Sequence, residues 1–144
     1  MLSSDFPAAD QRRPEPDQYG LVVLPVVLTR HPPVVFFYYA LCLATASAAM
    51  DGIINRKSAK EIHESQLHWA RAAFFAGTIG IGLGGLWAYT VLDWGGYWAW
   101  DPVETGSILP WFALLLIIHA RSTHDSSTSI KVSPAFGLLA GALA

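Results

Sequence analysis

The sequence predicts an all-α, polytopic membrane protein that forms part of a larger helix bundle. Of its 144 residues, 53% are hydrophobic and only 14% are charged, whereas charged residues make up about 25% of an average soluble domain. The apolar residues form long uncharged runs, and a membrane-spanning helix needs about 20 such residues. The runs also lack the polar and apolar alternation of a transmembrane β-barrel. We therefore predict three transmembrane helices and a partial fourth.

The predicted layout follows these runs along the chain. The first two spans, 32–50 and 72–92, contain 19 and 21 residues and no charged side chain. The third, 102–120, carries only a glutamate near its start and a histidine near its end. The final apolar segment, 132–144, has 13 residues and is too short to cross a membrane alone. The remaining segments are an N-terminal segment (1–31) and loops at 51–71, 93–101 and 121–131.

Positive charge predicts which loops face the inner side of the membrane, because Lys and Arg near the ends of spans favour the cytoplasmic or matrix side. The loops at 51–71 and 121–131 contain such residues, and the loop at 93–101 contains none. That loop and the N-terminal segment are therefore predicted to face outward, and two spans separate them, so His31 is expected to share a surface with the loop. The basic residues are Arg56, Lys57, Lys60, Arg71, Arg121 and Lys131.

Charge and cysteine content exclude several classes of function. The net charge is −2, and the basic residues form no stripe of the kind that binds nucleic acid. Cys42 is the only cysteine, so the sequence has no internal disulfide, no CxxC redox pair and no CxxCH haem attachment motif. Residues 1–18 contain four acidic side chains and fit neither a secretory signal nor a transit peptide.

The second predicted span contains Gly80, Gly82 and Gly85, which spell the GxGxxG pattern of dinucleotide-binding proteins. That pattern requires a strand before it and a helix after it, whereas here it lies inside one apolar run, so we reject a nucleotide site. Small residues also recur at every fourth position, and such a face lets helices approach closely in lipid. They are Ala72, Ala76, Gly80, Gly84 and Ala88. This span is therefore predicted to be a packing helix, central to the bundle.

Aromatic residues are densest in the stretch WGGYWAWDPVETGSILPW, residues 94–111. Asp101, Pro102 and Glu104 form a helix start, with Asp as N-cap and Pro at the first helical position. On one interpretation the tryptophans are an interfacial aromatic belt. On the other, three tryptophans within seven residues form a binding platform for a flat, apolar ligand such as haem or a quinone. The residues alone leave both interpretations open.

Histidine commonly holds haem iron, so two of the five histidines are candidate ligands. His31 precedes Pro32 and Pro33, which are expected to fix the entrance of the first span. His119 lies about 22 Å along the third helix from Glu104, and an ionisable residue at that depth is a functional candidate. Alternatively, His31 is an interfacial turn residue and His119 reaches the inner headgroups. The remaining histidines, His63, His68 and His124, are expected to be solvated.

The 94–111 stretch closely resembles the tryptophan-rich WWD motif of haem-handling membrane proteins, and its Asp-Pro-Val-Glu form is most similar to the CcmF-type haem lyases of cytochrome c maturation. RHPPVVFFYYAL resembles the histidine segment that precedes the motif, and LPWFALLLIIHA resembles the helix that bears the family's buried histidine. The resemblance covers about residues 17–120. It departs at Thr105 and Gly106, where Asn-Ala is more usual.

The resemblance implies a role for each matching residue. His31 would help to ligate the haem being delivered, and His119 would be one ligand of a separate haem b in the membrane. The platform residues would be Trp94, Trp98, Trp100, Asp101, Pro102 and Glu104. Haem propionates also need a cation, and from its place beside His31 we expect Arg30 to supply it, or otherwise a residue of another chain. The protein would take haem from the chaperone CcmE and, with a CcmH-type thiol-handling protein, attach it to apocytochrome c.

CcmF-type proteins are long and carry two further histidines after the motif, each the second ligand of one haem. Neither position occurs here, so we expect one piece of a split or truncated CcmF, inactive alone and part of a haem lyase (holocytochrome c synthase) complex with the remaining half or other membrane subunits. It would lie in the mitochondrial inner membrane or the bacterial plasma membrane, with the WWD loop on the intermembrane-space or periplasmic side.

Two other functions fit the same residues. One is a WWD-type protein that exports or hands over haem without thioether chemistry. The other is a structural membrane subunit, whose tryptophans are an interfacial belt and whose second span packs through its small residues.

Overall fold

The computed structural model describes residues 18–91, 97–98, 100–120 and 128–144. Nearly all of these residues lie in four helices: α1 (Gln18–Ile54), α2 (Ala59–Val91), α3 (Pro102–His119) and α4 (Thr128–Leu143). No strand occurs in the described ranges, and the predicted all-α class is confirmed. Three segments are long and apolar enough to cross a membrane, and a shorter apolar helix follows. They are His31–Ile54, Ala59–Tyr89, Pro102–His119 and the shorter Ile130–Leu143.

The first two helices are longer than the uncharged runs that predict them. α1 begins at Gln18 and passes through Pro32 and Pro33, so these prolines lie inside a helix and not at its entrance. α2 begins at Ala59, which reduces the predicted loop at 51–71 to a turn at 55–58. An absence of charge marks where a chain can enter lipid, whereas a helix continues as long as its backbone bonds are satisfied. Hydropathy therefore locates the spans but not the helix ends.

The turn between α1 and α2 is fixed by side chains that the sequence places close together. The Ser58 hydroxyl accepts from the Glu61 backbone N–H at 3.3 Å, and the Glu61 carboxylate accepts from the Ser58 N–H at 2.7 Å. This reciprocal arrangement is a capping box, which satisfies exposed donors at a helix start. Lys57 also pairs with Asp51 across the turn at 2.7 Å. The two long helices are therefore held as an antiparallel pair.

Glycines of α2 let α1 approach closely. A Cβ atom at Gly80 would lie 3.2 Å from the Val35 side chain, and one at Gly84 would lie 2.7 Å from Cε1 of His31. The predicted small-residue face is confirmed at these two positions. Ala72, at the start of the same stripe, is exposed. α2 contacts each of the other three helices, as expected for a packing helix, and so does α4.

The interior of the bundle is small and apolar, while much of its exterior is also apolar. Among the described residues, the largest fully buried side chain is Tyr38, and the lone Cys42 is buried beside it as a free thiol. Large side chains such as Phe36 (71% exposed) and Phe75 (69% exposed) point outward. In water such a surface would be costly. It is the surface expected of helices that contact lipid or other membrane helices.

Two ends of the bundle can be distinguished. Lys60 and Lys131 line one polar recess together with Glu61 and Glu64, so the two basic predicted loops meet at the same end. His31 and the residues at the start of α3 lie together elsewhere, because they line one cavity. This agrees with the predicted separation between a basic surface and a tryptophan-bearing surface.

His63 contradicts the prediction that it is solvated. It is only 5% exposed, and its Nδ1 lies 2.8 Å from the Ser133 hydroxyl of α4. The Gln66 amide also donates to that hydroxyl, at 2.6 Å. The sequence shows a polar segment here, but that segment forms the first turns of α2 and packs against α4. His68 is exposed as predicted, and His124 lies outside the described residues.

A test of the α1–α2 contact is the substitution Gly77→Ala. A Cβ atom at Gly77 would lie 2.7 Å from the ring of Tyr38. Because that ring is fully buried, we expect the variant to lose about 1–3 kcal/mol of stability, the usual cost of overpacking. The measurement is thermal unfolding of the membrane complex that contains this chain. The matched control is Gly106→Ala, where a Cβ meets no atom within 4 Å, and an equal loss in both variants would contradict the argument.

Candidate functional site

A cavity of about 310 Å³ lies between α1, α2 and the first turns of α3. This volume is at the lower end of the range for small-molecule sites, about 300–1,000 Å³. Most of the lining is apolar, so the cavity suits an apolar ligand or the edge of a larger one. The lining side chains include His31, Val35, Phe36 and Tyr39 of α1, Ile81, Trp87 and Ala88 of α2, and Trp98, Asp101, Val103, Glu104 and Ser107.

The His31 ring is held in the groove that the α2 glycines leave. Its Nδ1 lies 3.1 Å from the backbone carbonyl of Gly80. A carbonyl only accepts hydrogen bonds, so Nδ1 carries the proton and the neutral ring has its free lone pair on Nε2. A Cβ at Gly84 would lie 2.7 Å from Cε1 and 3.3 Å from Nε2 of this ring. The sequence therefore fixes both the tautomer and the space for the imidazole.

Tyr97 links the segment that contains Trp98 and Trp100 (the tryptophan segment) to α2. Its hydroxyl donates to the backbone carbonyl of Gly82, and a Cβ at Gly85 would lie 2.8 Å from its ring. Two of the three glycines in the GxGxxG pattern, Gly82 and Gly85, thus contact this tyrosine. The rejection of a nucleotide site stands, and the structure supplies a packing reason for the pattern.

Trp98 and Trp100 are placed differently. Trp98 is partly buried and lines the cavity, and its indole N–H has no hydrogen-bond partner among the described residues. Trp100 is 70% exposed and meets Trp98 edge to face, with ring centroids 5.8 Å apart and planes at 81°. Trp100 also has a φ of 57°, a left-handed conformation that is uncommon for a bulky residue. One tryptophan faces the cavity, and the other supports its edge.

Asp101 and Glu104 form the predicted helix start, and both line the cavity. Asp101 is the N-cap of α3, and its carboxylate accepts from the Glu104 N–H at 2.6 Å. The Glu104 carboxylate accepts in turn from the Trp100 N–H at 3.1 Å, one residue earlier than in a standard capping box. These bonds hold Trp100 in its left-handed conformation. Both carboxylates also lie at the positive end of the helix dipole.

The structure brings together four of the predicted site residues: His31, Trp98, Asp101 and Glu104 line the same cavity. The predicted meeting of His31 with the tryptophan segment is therefore confirmed. Pro102 is exposed at the first position of α3 and does not line the cavity. Trp94 lies outside the described residues. Arg30 precedes His31 in α1, and its side chain is not among those that the structure describes.

His119 lies away from this cavity, at the last position of α3. Its ring is exposed, and Nδ1 lies 2.9 Å from the carbonyl of Leu115, which again leaves the Nε2 lone pair free. Trp111, on the same helix, stacks on Phe74 with centroids 4.7 Å apart and donates to Thr78 at 2.9 Å. Trp111 is therefore a packing residue between α2 and α3.

Sequence reasoning missed the cavity residues Tyr39, Ser107 and Trp87. A signal for Tyr39 exists, because His31, Val35 and Tyr39 follow one another at four-residue intervals and so share a helix face. For Ser107, the two tyrosines that bond it come from a different helix, so no local pattern predicts those contacts. Within the described ranges, no group of three His, Cys, Asp or Glu side chains could hold a bare metal ion.

The helices and the cavity define a class of protein: a polytopic membrane protein in which a histidine and a tryptophan from different segments meet at one apolar site. The comparison with known families makes this specific. Residues 13–140 match the model of the family described as Cytochrome C assembly protein, and the chain belongs to this family.

Curated relatives confirm the predicted resemblance to CcmF-type proteins. The chain is 35% identical to cytochrome c-type biogenesis protein NrfE of Haemophilus influenzae over 80% of its length, which is 18% of that protein. It is 37% identical to CcmF of Pseudomonas aeruginosa over 78% of its length, or 18% of that protein. Against CcmF of Escherichia coli the values are 32%, 70% and 16%. The chain thus spans less than a fifth of these relatives, and no solved structure matches it significantly.

Asp101 can be tested as the cap that shapes the α3 side of the cavity. We expect Asp101→Ala to cost about 0.5–2 kcal/mol of stability, because the first turn of α3 loses its side-chain acceptor. Asp101→Asn keeps an oxygen at the same position, and we expect it to retain most of that stability. Thermal unfolding of the assembled complex measures both. Equal stability of Asp101→Ala and the unmodified protein would show that the cap is dispensable.

Proposed function

We propose that this chain forms the haem-binding part of a cytochrome c haem lyase. The observation that carries the proposal is that His31 of α1 and Trp98, which precedes α3, line the same apolar cavity. The family assigns the chain to cytochrome c assembly, and haem is the apolar, flat ligand that such an assembly must handle. In this proposal the haem is the cargo, and the WWD segment receives it.

His31 is the proposed iron ligand. Histidines that bind metals usually donate their second ring N–H to a carbonyl or carboxylate, which fixes the tautomer and the orientation of the ring. The Nδ1 contact with Gly80 at 3.1 Å is of this type. The ring therefore offers Nε2 in a fixed position without needing to reorganise on binding.

The cavity residues fit one edge of a porphyrin. Apolar side chains and the indole of Trp98 provide a surface on which an aromatic macrocycle packs well. A volume of about 310 Å³ is small for the whole ligand. The remaining face is assigned to other parts of the assembly.

The acidic groups suggest how the carboxylate edge of haem is oriented. Asp101 and Glu104 both line the cavity, and like charges disfavour a propionate beside them. The propionates are therefore assigned to the side away from α3. Arg30 is their proposed partner, because it is adjacent to His31 in α1 and a charge-assisted pair would stabilise a propionate there.

A second, resident haem b is proposed at His119. The free Nε2 lone pair and the exposed position of this ring suit a metal ligand whose partner comes from another part of the assembly. When bound, that haem would supply electron transfer that keeps the iron of the delivered haem reduced. His119 itself would bind and orient the group, and the Leu115 carbonyl would hold its tautomer.

The proposed setting follows from the chemistry of haem attachment. Each thioether forms when a CxxCH thiol adds across a haem vinyl group, with sulfur bonding to one carbon and hydrogen to the other. The proposed partners are the haem chaperone CcmE, a CcmH-type thiol-handling protein, apocytochrome c and the remaining membrane segments of the lyase. The WWD loop is assigned to the periplasmic or intermembrane-space side, and the basic end of the bundle to the opposite side.

The central test is His31→Ala in the assembled membrane complex. We expect at least a tenfold loss of haem captured from haem-loaded CcmE, because the iron loses a ligand while the apolar cavity remains. Haem bound per complex is measured by absorbance after purification.

His68→Ala is the matched control, since His68 is an exposed histidine of α2 that contacts only Trp69 among the rings described. Unchanged capture in His31→Ala would refute the assignment of the ligand. A different result would favour a hand-over protein without thioether chemistry. In that case the unmodified complex captures haem, but deletion of its gene causes no loss of covalent cytochrome c.

His119→Ala tests the second haem separately. We expect the purified complex to lose the absorbance of a b-type haem while it still captures haem through His31, because the two histidines serve different sites. Retention of the b-type spectrum would reject His119 as a ligand. A complex that contains no haem at all, even before substitution, would favour the structural-subunit interpretation.

A further inference from the structure

We infer that Tyr39 and Ser107 set the spacing between the two walls of the cavity. One wall is α1, which carries His31, and the other is the start of α3, which follows Trp98. This inference deepens the proposed function and rests on it for its effect on haem, but its geometric part is independent of any ligand. Tyr39 and Ser107 both line the cavity, so they are positioning residues inside the site.

The hydrogen bonds between these residues have a defined direction. The Ser107 hydroxyl lies 2.8 Å from the backbone carbonyl of Val103 and 2.9 Å from the Tyr39 hydroxyl. Because a carbonyl can only accept, Ser107 donates its single proton to Val103. The Tyr39 hydroxyl must therefore donate to Ser107. The result is a chain of two bonds from α1 to the backbone of the first turn of α3.

A second tyrosine reaches the same residue. The Tyr38 hydroxyl donates to the backbone carbonyl of Ser107 at 3.0 Å, and its side chain is fully buried. The two tyrosine rings lie 5.2 Å apart and are tilted by 37°. Ser107 is thus held by neighbouring side chains at both its hydroxyl and its carbonyl, which restrains both translation and rotation of this part of α3.

The position of this link determines what it controls. Tyr39 lies two helical turns after His31 on the same face of α1, and Ser107 lies one turn after Glu104 in α3. Both connected helices are stiff over such distances. A shift of Ser107 relative to Tyr39 therefore moves Glu104, Asp101 and the preceding Trp98 relative to the imidazole.

The link also joins two helices, α1 and α3, that otherwise contact each other mainly through α2. α2 lies against both α1 and α3 through extensive contacts, but small residues on its face toward α1, such as Gly80 and Gly84, allow sliding as well as close approach. Directional hydrogen bonds oppose such sliding, because they weaken steeply when their geometry changes. Apolar packing alone lacks this directionality.

The experiment compares Tyr39→Phe, Ser107→Ala and the double variant in the full assembled complex. We expect each single variant to raise the haem dissociation constant about tenfold and to change the haem absorbance spectrum. The double variant should be no worse than Ser107→Ala, because that variant has already lost the Tyr39–Ser107 bond. Ser107→Thr keeps the hydroxyl and should restore the spectrum.

The matched control is Ser47→Ala. Ser47 makes the same kind of bond as Ser107, from its hydroxyl to the carbonyl four residues earlier, at 2.8 Å from Leu43, but it is exposed and outside the cavity. We expect no change in haem affinity or spectrum. A haem-free readout is added with spin labels introduced by A40C and L109C, at exposed positions of α1 and α3. Their distance distribution should broaden in Tyr39→Phe and Ser107→Ala only.

The outcomes separate the two proposals. An unchanged label distance, or additive losses of affinity in the double variant, would overturn the inference. A broadened label distance in a complex that never takes up haem would support the positioning role while rejecting the proposed function. Broadening together with the shared loss of affinity supports both.

Discussion

The whole site depends on how closely α1 can approach α2. Gly80 and Gly84 present backbone where other residues would present side chains, and a Cβ at Gly84 would lie 2.7 Å from the His31 ring. The same close approach brings the Gly80 carbonyl within 3.1 Å of Nδ1. In lipid, helices gain little from apolar burial, so close packing and such interhelical hydrogen bonds decide which faces meet. The imidazole is therefore oriented by a feature of the packing helix and not by its own sequence neighbours.

The segment opposite His31, which contains Tyr97, Trp98 and Trp100, is also positioned by close contacts with glycines of α2. Tyr97 contacts Gly82 and Gly85. Trp100 has a left-handed conformation, and Asp101 caps the start of α3. A left-handed tryptophan carries a cost of about 1–2 kcal/mol, which its bond to Glu104 and its edge-on contact with Trp98 help to offset. The motif's carboxylates thus have structural partners on the protein itself. This explains why acidic residues line a cavity that is otherwise apolar.

The sequence predicts the fold class, the cap of α3 and the meeting of His31 with the tryptophan segment, because each depends on a local pattern or on the number of crossings. The sequence alone is enough to identify the charge-free runs, the Asp-Pro helix start and the even number of spans. His63 shows where this reasoning ends. Its sequence neighbours are polar, so the sequence predicts an exposed residue. In the structure it is buried against Ser133 of α4, a contact between helices that no local pattern encodes. Ser107 escaped notice for the same reason, since the two tyrosines that bond it lie on α1.

The distribution of these contacts along the chain has a consequence for how the site is built. The bonds of His31 with Gly80 and of Tyr38 and Tyr39 with Ser107 join residues between 31 and 107. The matched relatives are more than five times longer than the aligned segment, which makes up 16–18% of their length. The geometry of the cavity is therefore specified by a short part of the family's sequence. Groups that complete a ligand's surroundings can come from elsewhere without having to orient His31 or Ser107, because the bonds that hold these two residues lie within these three helices.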